Sequence, residues 1–572
     1  MIFKPTFITG DAPLLEYPRP QFKRDSYLSL NGVWEYGISK TAGEISGKIV
    51  VPYSPESELS GVMRMLKKNE ILTYKRVFTL PNGFNKGVVL LNVGACDQVT
   101  KVYVNDKLVG ENEGGYLPFT FDITSALRDG ENELIFIVTD DADTEVYGRG
   151  KQTYKPGGIW YTATSGIWQS VFLESVPTSY IKSVKLTPNY NERSLTITPT
   201  LVGSGEFTAK VFDGETLLAT NSGSGELTLS LPTVKDWTPE SPELYTVKLY
   251  FSGDEVESYF GMRKFSLIEK NGLKTFALNN QPIFMNGLLD QGYYYQGLYT
   301  PKTNECMYNE IKAVKECGYN MLRKHIKVEP MLWYYYCDVL GVLVWQDMIN
   351  GGAKYKQIRI ALAPFFNLHL NDHDYKAMGR NEASRKQYKK EALLLQETLY
   401  NVTSLCLYTP FNEAWGQFDA LENLEMLKAN DPTRLYDHAS GWQDMGGGDV
   451  CSRHIYFRKI RLKNDKKRAL ALTEFGGYTL VVKGHESSPK KFGYKIMKNA
   501  QQFENAYVKL FETEIIPEIE KNGLSATVYT ELTDIEDEQN GIFTFDRTLK
   551  IKKQTLIDIN KKVENAYAKK FK

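Results

Sequence analysis

Two glutamates stand where the chain is expected to leave a buried strand, and together they could cleave a glycosidic bond. Glu413 follows the apolar run 405–408, and Glu474 follows the run 469–472. In a barrel of parallel strands the carboxyl ends of all strands converge on one mouth, so acids from distant parts of the chain can meet there. Glycosidic cleavage needs such a pair, because one carboxyl protonates the leaving oxygen while the other attacks or activates water.

The residues beside the two glutamates favour a sugar site. A single strand-end glutamate is more often a solvated charge, so the neighbours carry the inference. Asn412 offers an amide to a sugar hydroxyl, and Trp415 offers a stacking wall. Gly476 and Gly477 allow the backbone to approach closely after Glu474.

The part of the chain that holds these glutamates is predicted to be a (β/α)8 TIM barrel. Helical patterns at 310–314 and 331–340 end near glycines and are followed by a predicted strand at 320–323 and by the apolar run 342–345. Strands that alternate with helices indicate a parallel sheet, and a stretch of about 300 residues fits a barrel.

The preceding residues are predicted to be β-structure. Short apolar runs separated by Gly, Asn and Asp indicate a jelly-roll β-sandwich, and a second set of strands has the size of an immunoglobulin-like β-sandwich. We therefore expect a sandwich at 1–178, an immunoglobulin-like sandwich at 179–266 and the catalytic barrel at 267–572.

The amino-acid composition argues against several classes of function. Lys+Arg and Asp+Glu number 69 each, which argues against binding nucleic acid or an acidic membrane by bulk charge. No run of 18 apolar residues and no signal core are present, so a cytoplasmic protein is expected. The six cysteines show no CxxC pair and no ligand spacing with the six histidines, so neither a metal nor a cofactor is predicted. The 13% aromatic content suits carbohydrate faces and sandwich cores equally well.

Motifs along the chain resemble glycoside hydrolase family 2, which comprises β-galactosidases, β-glucuronidases, β-mannosidases and relatives. Residues 412–416 (Asn-Glu-Ala-Trp-Gly) resemble its acid/base motif, and residues 473–477 (Thr-Glu-Phe-Gly-Gly) resemble its nucleophile motif. The resemblance extends over essentially the whole chain, including a sugar-binding-type N-terminal sandwich. The supporting segments are 72–78, 164–169, 237–245 and 260–263.

The resemblance implies a retaining exo-acting β-glycosidase. Glu413 would be the general acid/base and Glu474 the nucleophile of a covalent glycosyl-enzyme, and Asn412 would contact the 2-hydroxyl. The other substrate-binding residues that it implies are Asp290, Tyr293, Arg323, His325, Trp442, His454, Tyr529 and Asp534. For His454 a hydrogen-bonded structural role is as plausible as substrate contact. For Arg323 we favour support of Glu474 over contact with the sugar, because a buried carboxylate needs a cation or donor.

The sugar is less clearly indicated. The Asn-x-Lys motif that precedes Gly-Ile-Phe-Thr in typical β-glucuronidases of the family is replaced here by 538–540 (Glu-Gln-Asn). We therefore favour a neutral β-galactoside-type substrate, with Asp290 binding hydroxyls. The cationic segment 323–327 keeps a β-uronidase, acting on a galacturonide or glucuronide, as the alternative. If that segment stays extended, Arg323, His325 and Lys327 share a face.

Two further expectations concern partners. The partner is a carbohydrate substrate, and a homo-oligomer is left open. A non-catalytic carbohydrate-binding protein on the same scaffold is the alternative of another class, but it would be expected to lack one carboxylate, and both are present. The segment 350–387 is longer than a usual barrel loop and is a candidate pocket lid or partner contact.

Overall fold

The computed structural model describes residues 5–142, 146–352 and 370–572. Residues 353–369, in the segment considered as a lid or partner contact, lie outside that description. No helix in the described ranges is long and apolar enough to cross a membrane.

The N-terminal part of the chain forms two antiparallel sheets that share one core. The larger sheet contains, in spatial order, Gly47–Val51, Gly32–Ser39, Ile71–Thr79, Glu131–Thr139, Val99–Val104 and Lys107–Glu113. The smaller sheet contains Leu28–Ser29, Val171–Val176, Val88–Val93 and Phe119–Asp122. Every second side chain of Glu131–Thr139 is buried. This alternation directs one face of the strand into the core around Trp34, Tyr74 and Phe136.

Short elements complete this part of the chain. They are the 3-10 turns Pro20–Phe22, Glu58–Ser60 and Thr124–Ala126, and the strand pairs Gln152–Thr153 with Tyr161–Thr162 and Cys96–Asp97 with Gly166–Ile167.

A second, smaller sandwich follows. Its three-stranded sheet contains Tyr180–Asn189, Ser194–Val202 and Leu227–Ser230. Its four-stranded sheet contains Thr216–Gly223, Phe207–Asp213, Tyr245–Phe251 and Asp254–Phe260. Side chains from both sheets, including Ile197, Phe207 and Val247, meet in one apolar core.

The C-terminal part is a barrel of eight parallel strands. In chain order they are β1 (Met285–Asp290), β2 (Met321–Lys324), β3 (Leu343–Asp347), β4 (Leu405–Thr409), β5 (Leu435–Tyr436), β6 (Val450–Ile455), β7 (Ala469–Gly476) and β8 (Leu524–Thr530). The spatial order is β5-β4-β3-β2-β1-β8-β7-β6. The two edge strands approach each other where the Asp449 amide, just before β6, donates to the Tyr436 carbonyl of β5 at 2.8 Å. The barrel is therefore nearly closed.

Helices alternate with these strands. They are α1 (Asn304–Glu316), α2 (Met331–Leu340), α3 (Glu382–Leu399), α4 (Ala420–Asn430), α5 (Ala500–Leu510), α6 (Ile516–Asn522) and α7 (Lys553–Phe571), with a π-helical turn Phe511–Ile515 between α5 and α6. A short strand pair, Tyr478–Thr479 with Lys495–Ile496, follows β7. The helix predicted at 331–340 is confirmed, and it ends at Gly341 in the left-handed conformation.

A three-stranded sheet closes one end of the barrel. Its strands are Phe265–Lys270, Leu273–Leu278 and Gln281–Pro282. Phe276 packs on Trp345 and shares a core with Met285, Met321 and Leu343, which begin β1, β2 and β3. The amino-terminal end is therefore filled, which leaves the carboxyl ends of the strands as the functional mouth.

The predicted fold class is confirmed: a jelly-roll sandwich and an immunoglobulin-like sandwich precede a TIM barrel. We propose residues 1–178, 179–266 and 267–572 as the boundaries of these three domains.

Candidate active site

The two predicted glutamates meet at the barrel mouth. Glu413 lies just after β4, and Glu474 lies near the end of β7. Both are buried. One carboxylate oxygen of each, together with a ring nitrogen of His454, lies within 4.8 Å of the other two. Strand ends that are 61 positions apart in the sequence thus deliver two carboxyl groups to one point.

The backbone on both sides of this point has left-handed residues. Glu413 and Ala414 have φ values of +51° and +63°. Such a conformation costs a non-glycine residue about 1–3 kcal/mol and is concentrated at functional sites. Gly476 has φ +88°, and a Cβ there would lie 2.2 Å from the Tyr529 ring. Glycine is thus required two residues after Glu474.

Arg323 and Tyr456 support the Glu474 carboxylate. The Arg323 Nη1 donates to Oε1 at 3.2 Å, and the Tyr456 hydroxyl donates to Oε2 at 2.5 Å. Arg323 is fully buried and also donates to both carboxylate oxygens of Asp347, each at 3.0 Å. Burial would raise the pKa of Asp347, but Arg323 and His325 more than offset this and hold the pKa below its usual range. The observed contact is the one that a supporting role for Arg323 requires.

His454 lies between the two glutamates. Its Nδ1 is 2.7 Å from Glu413 Oε1 and 3.4 Å from Glu474 Oε2, and its Nε2 is 3.0 Å from the Ser440 hydroxyl. The half-buried Trp442 places its ring 5.7 Å from the imidazole. His454 is therefore both hydrogen-bonded and adjacent to the two carboxyl groups.

Asn412 and Trp415 flank Glu413. The Asn412 side-chain oxygen accepts from Arg323 at 2.8 Å, and its amide nitrogen makes no hydrogen bond to the described residues. Trp415 is half-buried and stacks on Trp160 of the N-terminal sandwich, with ring centroids 5.2 Å apart. The first sandwich therefore contributes to the wall beside the acid/base candidate.

Three of the predicted sugar-binding residues lie outside this cluster. Tyr293 is buried against Tyr161 and Tyr299. Tyr529 packs on Tyr507 of α5, with ring centroids 5.2 Å apart. It therefore points to the helix layer. Asp534 pairs with Lys550 at 2.5 Å.

Asp290 also has both of its oxygens occupied. Oδ2 pairs with Lys324 at 2.6 Å, and Oδ1 accepts from the Gly292 amide at 2.8 Å. The hydroxyl-binding role expected for Asp290 therefore competes with an existing ion pair.

The cationic segment 323–327 does not form one face. The backbone leaves β2 after Lys324, and Ile326 is left-handed at φ +51°. Lys324 and Lys327 are completely buried and pair with Glu329 at 2.7 and 2.9 Å. The predicted alignment of Arg323, His325 and Lys327 on one face is therefore wrong. The segment is not extended at Ile326, and Lys327 pairs with Glu329.

His325 is held as a neutral imidazole. Burial and the charge of Lys151 lower its pKa to about 4, although its Nδ1 lies 2.7 Å from Asp347. His325 and Arg323 thus share Asp347 as a partner.

Sequence reasoning missed three residues near the site. Asp347 ends β3 and could have been found by the strand-end rule that identified Glu474. Tyr456 directly follows β6 and could have been found in the same way. Lys151 gave no signal, because it comes from a different part of the chain.

The Glu413–His454–Glu474 group also meets the distance requirement for a metal ion. Glu474, however, already accepts hydrogen bonds from Arg323 and Tyr456. The positive charge that a metal would bring is thus partly supplied by Arg323.

Comparison with known proteins agrees with this architecture. Residues 62–177 match the model of the glycosyl hydrolases family 2 sugar binding domain, and residues 176–263 match a second model described as glycosyl hydrolases family 2. A β-galactosidase of Priestia megaterium is 25% identical over 479 residues, which is 77% of this chain and 43% of that protein. The chain spans less than half the length of the curated relatives it matches, with shares of 34%, 43% and 40% for three of them.

Solved structures share the fold over nearly the whole chain. The β-D-glucuronidase of Dictyoglomus thermophilum superposes with a TM-score of 0.75 at 18% identity, covering 95% of this chain and 98% of that one. A family 2 β-galacturonidase of Eisenbergiella tayi bound to galacturonate superposes with a TM-score of 0.72 at 18% identity, covering 96% and 99%.

Proposed function

Because the chain belongs to glycoside hydrolase family 2, we propose that it is a retaining exo-β-glycosidase with Glu413 as general acid/base and Glu474 as nucleophile. The observation that carries the proposal is the approach of the two carboxyl groups to within 4.8 Å, oxygen to oxygen. Retaining glycosidases hold these groups about 5–5.5 Å apart, whereas inverting enzymes leave about 6.5–9.5 Å for a water molecule. The separation therefore supports direct attack on the sugar.

Two displacements at the anomeric carbon follow from this arrangement. In the first, a Glu474 oxygen bonds to the anomeric carbon while Glu413 gives its proton to the glycosidic oxygen, and the aglycone leaves as an alcohol. In the second, Glu413 removes a proton from water, and the water oxygen displaces Glu474. Two inversions give net retention. Arg323 and Tyr456 stabilise Glu474 as an anion before attack and as a leaving group afterwards.

A chain of hydrogen bonds supports Glu413 as the proton donor. The Thr473 hydroxyl donates to the Arg453 carbonyl and accepts from the Ser440 hydroxyl. Ser440 must then accept from the Nε2–H of His454, which leaves Nδ1 to share a hydrogen with Glu413. Nδ1 lies 2.7 Å from Glu413 Oε1, so the hydrogen of this contact can be exchanged with the carboxyl group, which gives and regains a proton in the two displacements.

The charged residues from which the sequence analysis inferred the sugar are engaged in ion pairs. The sequence favours a β-galactoside because the Asn-x-Lys motif is missing and Asp290 would bind hydroxyls, and it keeps a uronide as the alternative because of the cationic segment 323–327, with Lys324 and Lys327. The structure pairs all three in one buried ion-pair network with Glu329. The choice therefore falls to other charged groups at the mouth.

A cytoplasmic location is part of the proposal. All six cysteines are free thiols, and Cys306 is exposed. Free thiols are typical of a reducing compartment.

The proposal is tested with nitrophenyl β-glycosides of galactose, glucose, mannose, galacturonate and glucuronate. We expect the wild-type chain to hydrolyse at least one of them, and Glu474→Gln to lower that rate by several orders of magnitude, because no covalent intermediate can form. Glu422→Gln, on the exposed side of α4, is the matched control and should be unchanged. Near-wild-type turnover by Glu474→Gln would remove the nucleophile assignment, and inactivity of the wild type on every glycoside would remove the proposed function.

A further inference from the structure

Lys151 differs from the other buried lysines of the described residues. Four lysines are buried there: Lys151, Lys324, Lys327 and Lys550. Lys324 and Lys327 pair with Glu329, and Lys550 pairs with Asp534. The Lys151 ammonium has no hydrogen bond or ion pair with any described residue, although the residue is only 8% exposed. A cation carried by a largely buried residue without a paired carboxylate favours an anionic ligand, so an anion is expected to complete this site.

Lys151 is carried to the barrel mouth by a loop of the N-terminal sandwich. The amides of Arg149 and Gly150 both donate to the Asn350 carbonyl, at 3.0 and 3.1 Å, just beyond β3. Gly150 has φ +57°, and a Cβ there would lie 2.9 Å from the Ile326 carbonyl. The loop thus lies directly against the segment that holds His325.

Lys151 lies close to the segment that carries Glu413. Its ammonium lies 5.7 Å from the ring of Trp415, two residues after Glu413, and 5.7 Å from the ring of Tyr161. It also lowers the pKa of His325 by charge repulsion, after the larger effect of burial. The aromatic faces stabilise the cation weakly without neutralising it.

Glu531 is an acid whose charge interacts with that of Lys151. It follows β8, and both of its carboxyl oxygens are buried without a hydrogen-bond partner in the described chain. Burial and the nearby Glu538 raise the pKa of Glu531 well above its usual range, although Lys151 opposes the shift. A protonated Glu531 adds a donor and leaves the positive charge of Lys151 in place. Glu538 is occupied by the Tyr161 hydroxyl and the Asn540 amide.

We propose that Lys151 binds the carboxylate of a β-linked uronic acid and so makes the enzyme a β-uronidase, with the cation supplied by the N-terminal sandwich. Resting on the glycosidase activity proposed above, this assignment names the substrate class of the same site. Glu531 donates a second hydrogen bond to the carboxylate. This proposal differs from the β-galactoside preference drawn from the sequence, one ground of which was that Asp290 would be free to bind hydroxyls.

The test compares uronides with neutral glycosides that share one leaving group. The wild-type kcat/KM on nitrophenyl β-galacturonide or β-glucuronide should exceed that on the matching galactoside or glucoside at least tenfold. Lys151→Gln should lower this ratio by about 10- to 100-fold, the loss of one charge-assisted hydrogen bond, mainly through KM. Lys151→Arg should restore part of it, and Lys155→Gln, an exposed lysine of the same loop, should leave it unchanged. A wild-type preference for neutral sugars, or an equal loss on both classes, overturns the assignment.

A binding measurement separates this inference from the activity. Free galacturonate and glucuronate should raise the unfolding temperature of the inactive Glu474→Gln protein, and galactose and glucose should not. The added Lys151→Gln substitution should abolish the shift. A shift that survives this substitution overturns the role of Lys151 even if the chain proves to be a glycosidase. If no glycoside is hydrolysed but the Lys151-dependent shift is present, only the proposed reaction fails.

Discussion

Replacing Arg323 by methionine should damage both the stability of the barrel and its catalysis. The guanidinium is completely buried and makes five hydrogen bonds, to Asp347 twice and once each to Glu474, Asn412 and the Thr473 carbonyl. Arg323→Met leaves two buried carboxylates without their cation. Breaking a buried ion pair in this way costs about 3–5 kcal/mol, so the free energy of unfolding should fall by that amount.

The fall in kcat/KM of Arg323→Met is expected to come from the loss of two of the five hydrogen bonds. Those to Glu474 and Asn412 are made to groups proposed to touch the sugar, and a hydrogen bond to a charged partner contributes about 1.5–3 kcal/mol. A combined loss of about 3 kcal/mol corresponds to a fall in kcat/KM on the order of 10²-fold, at about 1.36 kcal/mol for each factor of ten.

A matched variant distinguishes catalysis from stability. Arg24 makes a comparable buried pair with Asp254, at 2.8 and 2.9 Å, far from the barrel mouth. Arg24→Met should lower the unfolding temperature, measured by circular dichroism, without lowering kcat/KM at a temperature where both variants are folded. If Arg323→Met has a kcat/KM within tenfold of that of Arg24→Met, Arg323 does not support the nucleophile and the reasoning is refuted.

Three further predictions concern the same site. Glu413→Ala should slow alkyl glycosides by about 10²–10⁴-fold and dinitrophenyl glycosides far less, since only the former need protonation, and equal losses on both would exclude Glu413 as the acid. Tyr456→Phe removes the 2.5 Å hydrogen bond to Glu474 and should lower kcat about tenfold with an unchanged melting curve, so an unaltered kcat would contradict that role. His325, whose pKa is lowered from 6.5 to about 4, remains unprotonated in the folded state while the unfolded chain takes up a proton. Stability should therefore fall by roughly 3 kcal/mol as pH drops through that interval, and His325→Gln should lose that part of the slope in urea unfolding, with an unchanged slope counting against a neutral His325.

The sequence predicted the positions of the two carboxyl groups because the local pattern was sufficient. Each glutamate follows an apolar run, and parallel strands must bring their carboxyl ends together. Tyr529 shows the limit of that reasoning. All seven residues of β8 are buried, so no alternation in the sequence tells which side chains face the mouth and which face the helices.

The ion-pair partners of the buried lysines also could not be predicted from the sequence. Lys324 and Lys327 read as free cations, but the fold provides Glu329 and Asp290 as partners. No motif in the sequence marks Lys151, because its position depends on how one domain docks on another. Counter-ions are set by tertiary contacts, and a short motif does not contain them.

The most direct test of the central claim is to trap the intermediate on the nucleophile. A 2-deoxy-2-fluoro β-glycosyl fluoride of the preferred sugar slows both displacements but slows hydrolysis of the intermediate more, so the glycosyl-enzyme should accumulate. Mass spectrometry of the digested protein should then find one added glycosyl group, on the peptide that contains Glu474, and none in Glu474→Gln. Addition to a different residue, or release of the inverted anomer without any adduct, would contradict the account.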